Sequence, residues 1–213
     1  MKFINSTETI GIKGRNIFVG YYDLNPYNST NTKILICNAP KIGFESQNAL
    51  VGSFDIQNKN FHFFAETNAW NWQQGAKTFW HQNKSGIAFY NYVENGVPIT
   101  RTFDLNANLE SQKFNFCFYS YSFDFSKAVG INFYKLSNLR PHYGYRNLGN
   151  LDSDNSEDYL LIYNLDKNNL DCKFSLIEIL DNLNIKFESD VKTLIDHPCF
   201  SKDGKSIFFF IDF

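Results

Sequence analysis

The chain has 213 residues, 43% of them apolar and 18% aromatic, with 23 Phe and 12 Tyr against a single Met. That composition excludes a disordered polymer, leaves room for a sizeable core, and favours strands over helices. With 20 basic and 22 acidic residues and a formal charge of -2, the chain carries no basic stripe to hold nucleic acid.

The N-terminal MKFINSTETIG lacks the apolar core of a signal peptide. No run approaches the roughly 18 apolar residues that a membrane span needs. A soluble cytoplasmic protein is expected, so the acceptor-like sequences at Asn5, Asn28 and Asn83 are read as accidents of an Asn-rich chain. Cys37, Cys117, Cys172 and Cys199 are spaced too widely for a metal set and are read as reduced core thiols. Neither a metal nor a cofactor is expected.

Along the chain, four segments share one register: PYNSTNTKILI, FWHQNKSGIAF, DFSKAVGINF and CFSKDGKSIFF. Each places an aromatic (Tyr27, Trp80, Phe125, Phe200) before a polar turn and a β-type run that begins at Ile34, Ile87, Ile131 or Ile207. A second register follows at Phe54-Asp55-Ile56, Phe103-Asp104-Leu105 and Tyr163-Asn164-Leu165. Each of these closes one strand and leads through a turn into another, over 60–65, 111–116 and 172–180. The repeating unit is strand, turn, strand, loop, strand, turn, strand. Its shorter spacings match a four-stranded propeller blade of about 40 to 50 residues. An insertion between Ser137 and Glu157 explains the widest spacing, and the one weak helical signal lies over 176–183.

The predicted fold is all-β: an incomplete β-propeller of four-stranded antiparallel blades, forming one domain over 1–213. The blades fall at about 22–66, 74–116 and 116–181, with a partial one at 197–213. Three and a half blades do not close a ring and leave sheet edges bare. Either the chain is the N-terminal part of a longer protein, the preferred reading, or a partner chain supplies the missing blades. The edges at 17–19 and 206–213 are expected to be unpaired, and the isolated chain is expected to associate.

Antiparallel alternation puts the lead-in to each inner strand and the loop between second and third strands at the same end of the blade. GYYD at 20–23, AWNWQQG at 69–75 and LRPHYGYR at 139–146 therefore converge on the central mouth. Tyr21, Tyr22, Trp70, Trp72, Tyr143 and Tyr145 offer flat faces on which a sugar ring stacks. Gln73 and Gln74 suit its hydroxyls, and Arg140 and Arg146 suit a carboxylate or phosphate, with His142 beside them. The sequence fixes no catalytic residue; Asp23, Glu66 and His142 are the candidates. A plainer reading makes Trp70 and Trp72 plugs between blades, with His62, His81 and His197 structural.

GYYDLNPY, AETNAWNWQQGAKTFW, GIAFYNY and NFYKLSNLRPHYGY resemble motifs of a bacterial family of six-bladed TolB-like propellers, several of which occur with surface-polysaccharide or glycosyltransferase genes. The resemblance runs from Gly20 to Phe213 and implies a longer chain and a role near glycans, with no catalytic residue to carry over. The expected function is binding of a saccharide or glycoconjugate at the central mouth, in surface polysaccharide biosynthesis. The alternatives are a glycan lyase or hydrolase, or a protein–protein scaffold.

Overall fold

The computed structural model describes residues 9–41, 47–148, 157–186 and 192–212. Three four-stranded antiparallel sheets and one two-stranded sheet follow each other along the chain. The first holds β1 (Asn16–Phe18), β2 (Lys33–Ala39), β3 (Ala49–Asp55) and β4 (Asn60–Thr67). The second holds β5 (Phe79–Trp80), β6 (Ile87–Glu94), β7 (Val97–Asp104) and β8 (Leu109–Phe114). β9 (Phe118–Tyr121), β10 (Lys127–Ile131), β11 (Tyr159–Asn164) and β12 (Asn169–Ser175) form the third. β13 (Leu194–Phe200) pairs with β14 (Ile207–Asp212) in the last. In each sheet the strands pair in chain order, which is the meander of a propeller blade.

The repeated turn residues have a mechanical role. Asp55 Oδ1 accepts from the backbone N–H of Gln57 and Asn58 at 3.0 and 2.9 Å. Asp104 does the same for Asn106 and Ala107, and Asn164 for Lys167. The turn then passes through a left-handed residue at Lys59, Asn108 or Asn168. A short side-chain acceptor at the strand end thus fixes each hairpin, which is why the aromatic–Asx pair recurs in the sequence.

Five expectations need correction. Residues 17–19 are not a bare edge: Ile17 and Phe18 pair with Asn38 and Cys37 as the inner strand of the first blade. That strand is broken, resuming where Tyr27 bridges Ile34, so Gly20–Asp23 is an excursion from the inner strand, not its lead-in. The run 172–180 is part strand and part helix. Ser175 and Glu178 form a capping box that ends β12 and starts α2 (Leu176–Asn182). A second helix, α1 (Phe133–Leu139), follows β10, where the aromatic run read as strand. Finally, Cys37 and Cys117 are buried, but Cys172 is half-buried and Cys199 exposed.

The core lies between blades. Cys37, Val51, Trp70, Ala76, Tyr90 and Phe103 fill the first seam. An aromatic cluster centred on Phe89, Phe118 and Tyr121 fills the second. Val129, Phe133, Leu160, Leu194 and Ile195 belong to the third, with Ile207, Phe209 and Ile211 packed on it. Each such side chain contributes about 1.5–3 kcal/mol by leaving water. On β14, Phe208 and Phe210 point outward and are exposed. Among the described residues no helix is long and apolar enough to cross a membrane.

Candidate functional site

The mouth is shaped by the insertion after β10. Asn132 caps α1 by accepting from the N–H groups of Tyr134 and Lys135, and Phe133 and Leu136 are buried beneath it. The chain then folds back on the helix. Gly144 passes so close that a Cβ there would lie 2.1 Å from Ser137 Cα. Ser137 Oγ donates to Phe133 O and accepts from Tyr145 N–H. Tyr145 is thereby driven into the core, stacked on Phe133 at 4.8 Å, its hydroxyl accepting from Asn91 Nδ2. Tyr143 swings the other way, toward the propeller axis. Asn71 Nδ2 donates to Tyr143 O at 2.9 Å and ties this loop to the tryptophan segment.

At the axis five segments meet. The Tyr21 and Tyr143 hydroxyls are 3.5 Å apart with their rings edge to face. The His197 ring lies 5.8 Å from Tyr21, 5.4 Å from Tyr143 and 6.0 Å from Tyr119. Below them Lys77 Nζ sits 3.4 Å over the Tyr119 ring and 3.4 Å from Asp23 Oδ2. Gln74 Nε2 donates to the Tyr119 hydroxyl at 2.6 Å. Burial pushes the Lys77 ammonium down to about 8, with Asp23 opposing the shift. The hydrogen bond with Tyr143 pushes Tyr21 up to about 12.

His197 is held under strain. It has φ 50 and precedes Pro198, where left-handed backbone is disfavoured, at a register shift in β13. Its Nδ1 is 2.9 Å from Oδ1 of fully buried Asp196, which also accepts from the His197 N–H. Arg140 reaches Asp196 at 3.4 Å and Asp212 at 3.0 Å. The acids that Arg140 meets are therefore the chain's own. Strain of this kind concentrates at functional sites.

Beside the axis, Trp72, Gln73, His142 and Arg146 line a cleft of about 150 Å³. Trp72 is half-buried, its ring 5.5 Å from Phe18 and 5.2 Å from Trp70, while Gln73, His142 and Arg146 are exposed.

The structure thus brings Tyr21, Asp23, Gln74, Arg140 and Tyr143 to the axis, and Trp72, Gln73 and His142 to the cleft. Tyr22 packs tilted beside Tyr21 and is 82% exposed. Three candidates stand apart. Trp70 backs the cleft but is 1% exposed, its Nε1 donating to Gln47 O, and Tyr145 is equally enclosed, its hydroxyl turned to Asn91. Glu66 lies on β4, the outermost strand of its blade, where it accepts from Asn48. Lys77, Tyr119 and Asp196 escaped sequence reading, which makes His197 structural. One signal existed, a polar Asp-His-Pro at the head of an apolar strand. Among the described residues no group of three His, Cys, Asp or Glu side chains is placed to hold a metal.

A broken inner strand, three four-stranded blades and a two-stranded fourth sheet define a partial β-propeller. No family model matches the chain, and no curated protein does. Among solved structures it is similar to TolB from Acinetobacter baumannii, at 12% identity and a TM-score of 0.51, over 92% of this chain and 37% of that one. It is also similar to an oligogalacturonate lyase in complex with manganese, again at 12% identity and 0.51, over 92% of this chain and 53% of that one. The chain spans about half or less of the length of these two proteins. Likeness at this identity shows the fold alone, a β-propeller.

Proposed function

We propose that the mouth binds a saccharide or glycoconjugate, and that its acidic groups are recognised. One observation carries this reading: Trp72, Gln73, His142 and Arg146 share a cleft that opens beside the tyrosine-lined axis. A half-buried indole suits the C–H face of a sugar ring, the amide suits hydroxyls, and the guanidinium fork fits a carboxylate. A setting in surface polysaccharide biosynthesis in the cytoplasm rests on the motif resemblance alone. The test is titration of trigalacturonate and maltotriose into the protein. Trigalacturonate is expected to bind more tightly, and Arg146→Gln to weaken it about tenfold, the scale of a lost charge-assisted pair. Absence of binding by both sugars, or an unchanged affinity in Arg146→Gln, overturns the reading.

A second reading, a glycan lyase, is favoured by the His197–Asp196 pair, an imidazole oriented by a buried carboxylate. It also fits the likeness to an oligogalacturonate lyase. In this reading His197 takes the proton beside a uronate carboxylate, that electron pair becomes a carbon–carbon double bond, and the glycosidic C–O bond breaks with its oxygen protonated. Ultraviolet absorbance of the new double bond, lost in His197→Gln, is the measurement; no absorbance change with trigalacturonate sinks it. A two-carboxylate hydrolase built on Asp23 and Glu66 has no such support, since Glu66 sits on an outermost strand and Asp23 at the axis.

A further inference from the structure

A larger cavity, of about 600 Å³, lies at the opposite end of the propeller axis. There the turns between first and second strands, 81–86, 122–126 and 201–206, close around the ends of β5, β9 and β13. Its size falls in the range of small-molecule sites, about 300–1,000 Å³. The walls are aromatic: Trp80, Tyr121, Phe123 and Phe200 all face it, and Phe123 is 74% exposed. A large ring left that exposed at a cavity edge is a stacking surface without a partner among the described residues.

Most polar groups around this cavity are already engaged within the protein. Ser122 and Ser201 donate to the aspartates of their own turns. The amides of Gln82 and Asn83 donate to Tyr27 O and Asp124 O. Asp23, at the inner end, has Lys77 behind it. The side-chain oxygens of Gln82 and Asn83 remain as neutral acceptors, while the enclosed and the charged groups that remain are donors. The Tyr121 hydroxyl and Trp80 Nε1 are buried with no hydrogen-bond partner, and Lys202 stands exposed at the rim. A buried donor without an acceptor costs about 1–3 kcal/mol, a cost that a ligand acceptor relieves.

We propose that this cavity is a second ligand site, independent of the sugar-binding mouth, and that it takes a planar aromatic carboxylate. The ring lies against Phe123 and Phe200, and the carboxylate accepts from Tyr121 and Lys202. The occupant is anionic because the charged group left unpaired on the wall is Lys202, and the one acid there is already neutralised by Lys77.

The experiment titrates 2-naphthoate into the full chain, followed by calorimetry and by tryptophan fluorescence. Saturable one-to-one binding is expected. Phe123→Ala, Lys202→Gln and Tyr121→Phe are each expected to weaken it about threefold or more, the scale of one lost contact or hydrogen bond. Phe123 and Lys202 are exposed, so those two variants fold normally, and a melt confirms it. Phe210→Ser, on the outer face of β14, and Trp72→Ala, at the mouth, are controls expected to bind as the parent does. Absence of saturable binding overturns the proposal. So does an affinity that survives Phe123→Ala and Lys202→Gln, or one that falls in Phe210→Ser, which would assign the binding to the exposed face of β14.

Discussion

Gln73 and Gln74 are neighbours in the chain and belong to different parts of the mouth. Gln73 is exposed in the cleft, whereas Gln74 is fully enclosed and holds the Tyr119 hydroxyl. His142 and Tyr143 divide in the same way, one into the cleft and one to the axis. In the axial cluster nearly every polar group is spent on another group of the protein. The cleft offers its groups to solvent. The two regions therefore separate what holds the mouth in shape from what is available to a ligand, and substitutions should sort along that line.

The largest effect is expected at the axis. Asp23→Ala leaves the Lys77 ammonium enclosed over Tyr119 without its counter-charge. Unfolding free energy at pH 7 should fall by about 2 kcal/mol: shedding the Lys77 proton about one unit below its folded value costs about 1.4 kcal/mol, and the hydrogen bond to half-open Asp23 is lost as well. The pH dependence gives the sign. Lys77 titrates in the fold at about 8, below its ordinary 10.5. The unfolded chain thus binds more protons between those values, and parent stability rises with pH across that window. The deficit of Asp23→Ala should shrink above pH 8 as Lys77 loses its charge. Urea titrations at pH 7 and pH 9.5 check this; an equal deficit at both would place the damage elsewhere.

The strand that carries His197 gives the next effect. Asp158 Oδ2 accepts from Ile195 N–H at 2.6 Å, and burial pushes its carboxyl up to about 6 from 3.8. The fold then binds the proton more tightly than the unfolded chain, so the contribution of Asp158 is fully present below about pH 4 and is lost as pH rises through 6. About 2 kcal/mol is at stake over that span, from a shift of this size. Asp158→Asn should flatten the slope; a slope that persists in that variant points to another group.

The same contrast explains what the sequence disclosed. Blades were legible because the Asx residues that stop each hairpin, such as Asp55 and Asp104, act within three residues of themselves. The mouth was legible from strand alternation, a property of the backbone. The axis was not. Lys77 lies in the lead-in to β5, Tyr119 on β9 and His197 on β13, and each looks ordinary in its own segment. Only closure of the blades puts the ammonium over the ring and the imidazole beside it. The first inner strand was misplaced because its excursion at Gly20–Asp23 separates β1 from Tyr27. Helix α1 was hidden because Phe133 and Leu136 suit a strand as well as a helix until Asn132 is seen to cap them.

A smaller effect tests the paired glutamines directly. Gln74→Ala strips the buried Tyr119 hydroxyl of its donor and should cost about 1.5 kcal/mol in a thermal or urea melt. Gln73→Ala, on an exposed side chain, should change stability by less than about 0.5 kcal/mol. Trigalacturonate affinity should show the reverse order, with Gln73→Ala weakened about threefold and Gln74→Ala nearer the parent. If both glutamines move stability alike, the division between axis and cleft fails.

The smallest effect is the most exacting. Glu66 was a candidate acid because it stands four residues before Trp70, and the backbone does put both at the same end of the blade. A strand end and a channel are different places, however. Glu66 belongs to β4, with β3 and β2 between it and the inner strand, and its one hydrogen bond is an exposed 3.3 Å contact from Asn48. Glu66→Gln keeps the shape and an acceptor for Asn48, and it removes only the charge. Stability should stay within about 0.5 kcal/mol of the parent, as for other exposed substitutions. Trigalacturonate affinity and any double-bond formation should stay unchanged within error. A measurable loss of either would mean that the ligand extends over the rim to the outer strand, and that the binding surface is far wider than the cleft between Trp72 and Arg146.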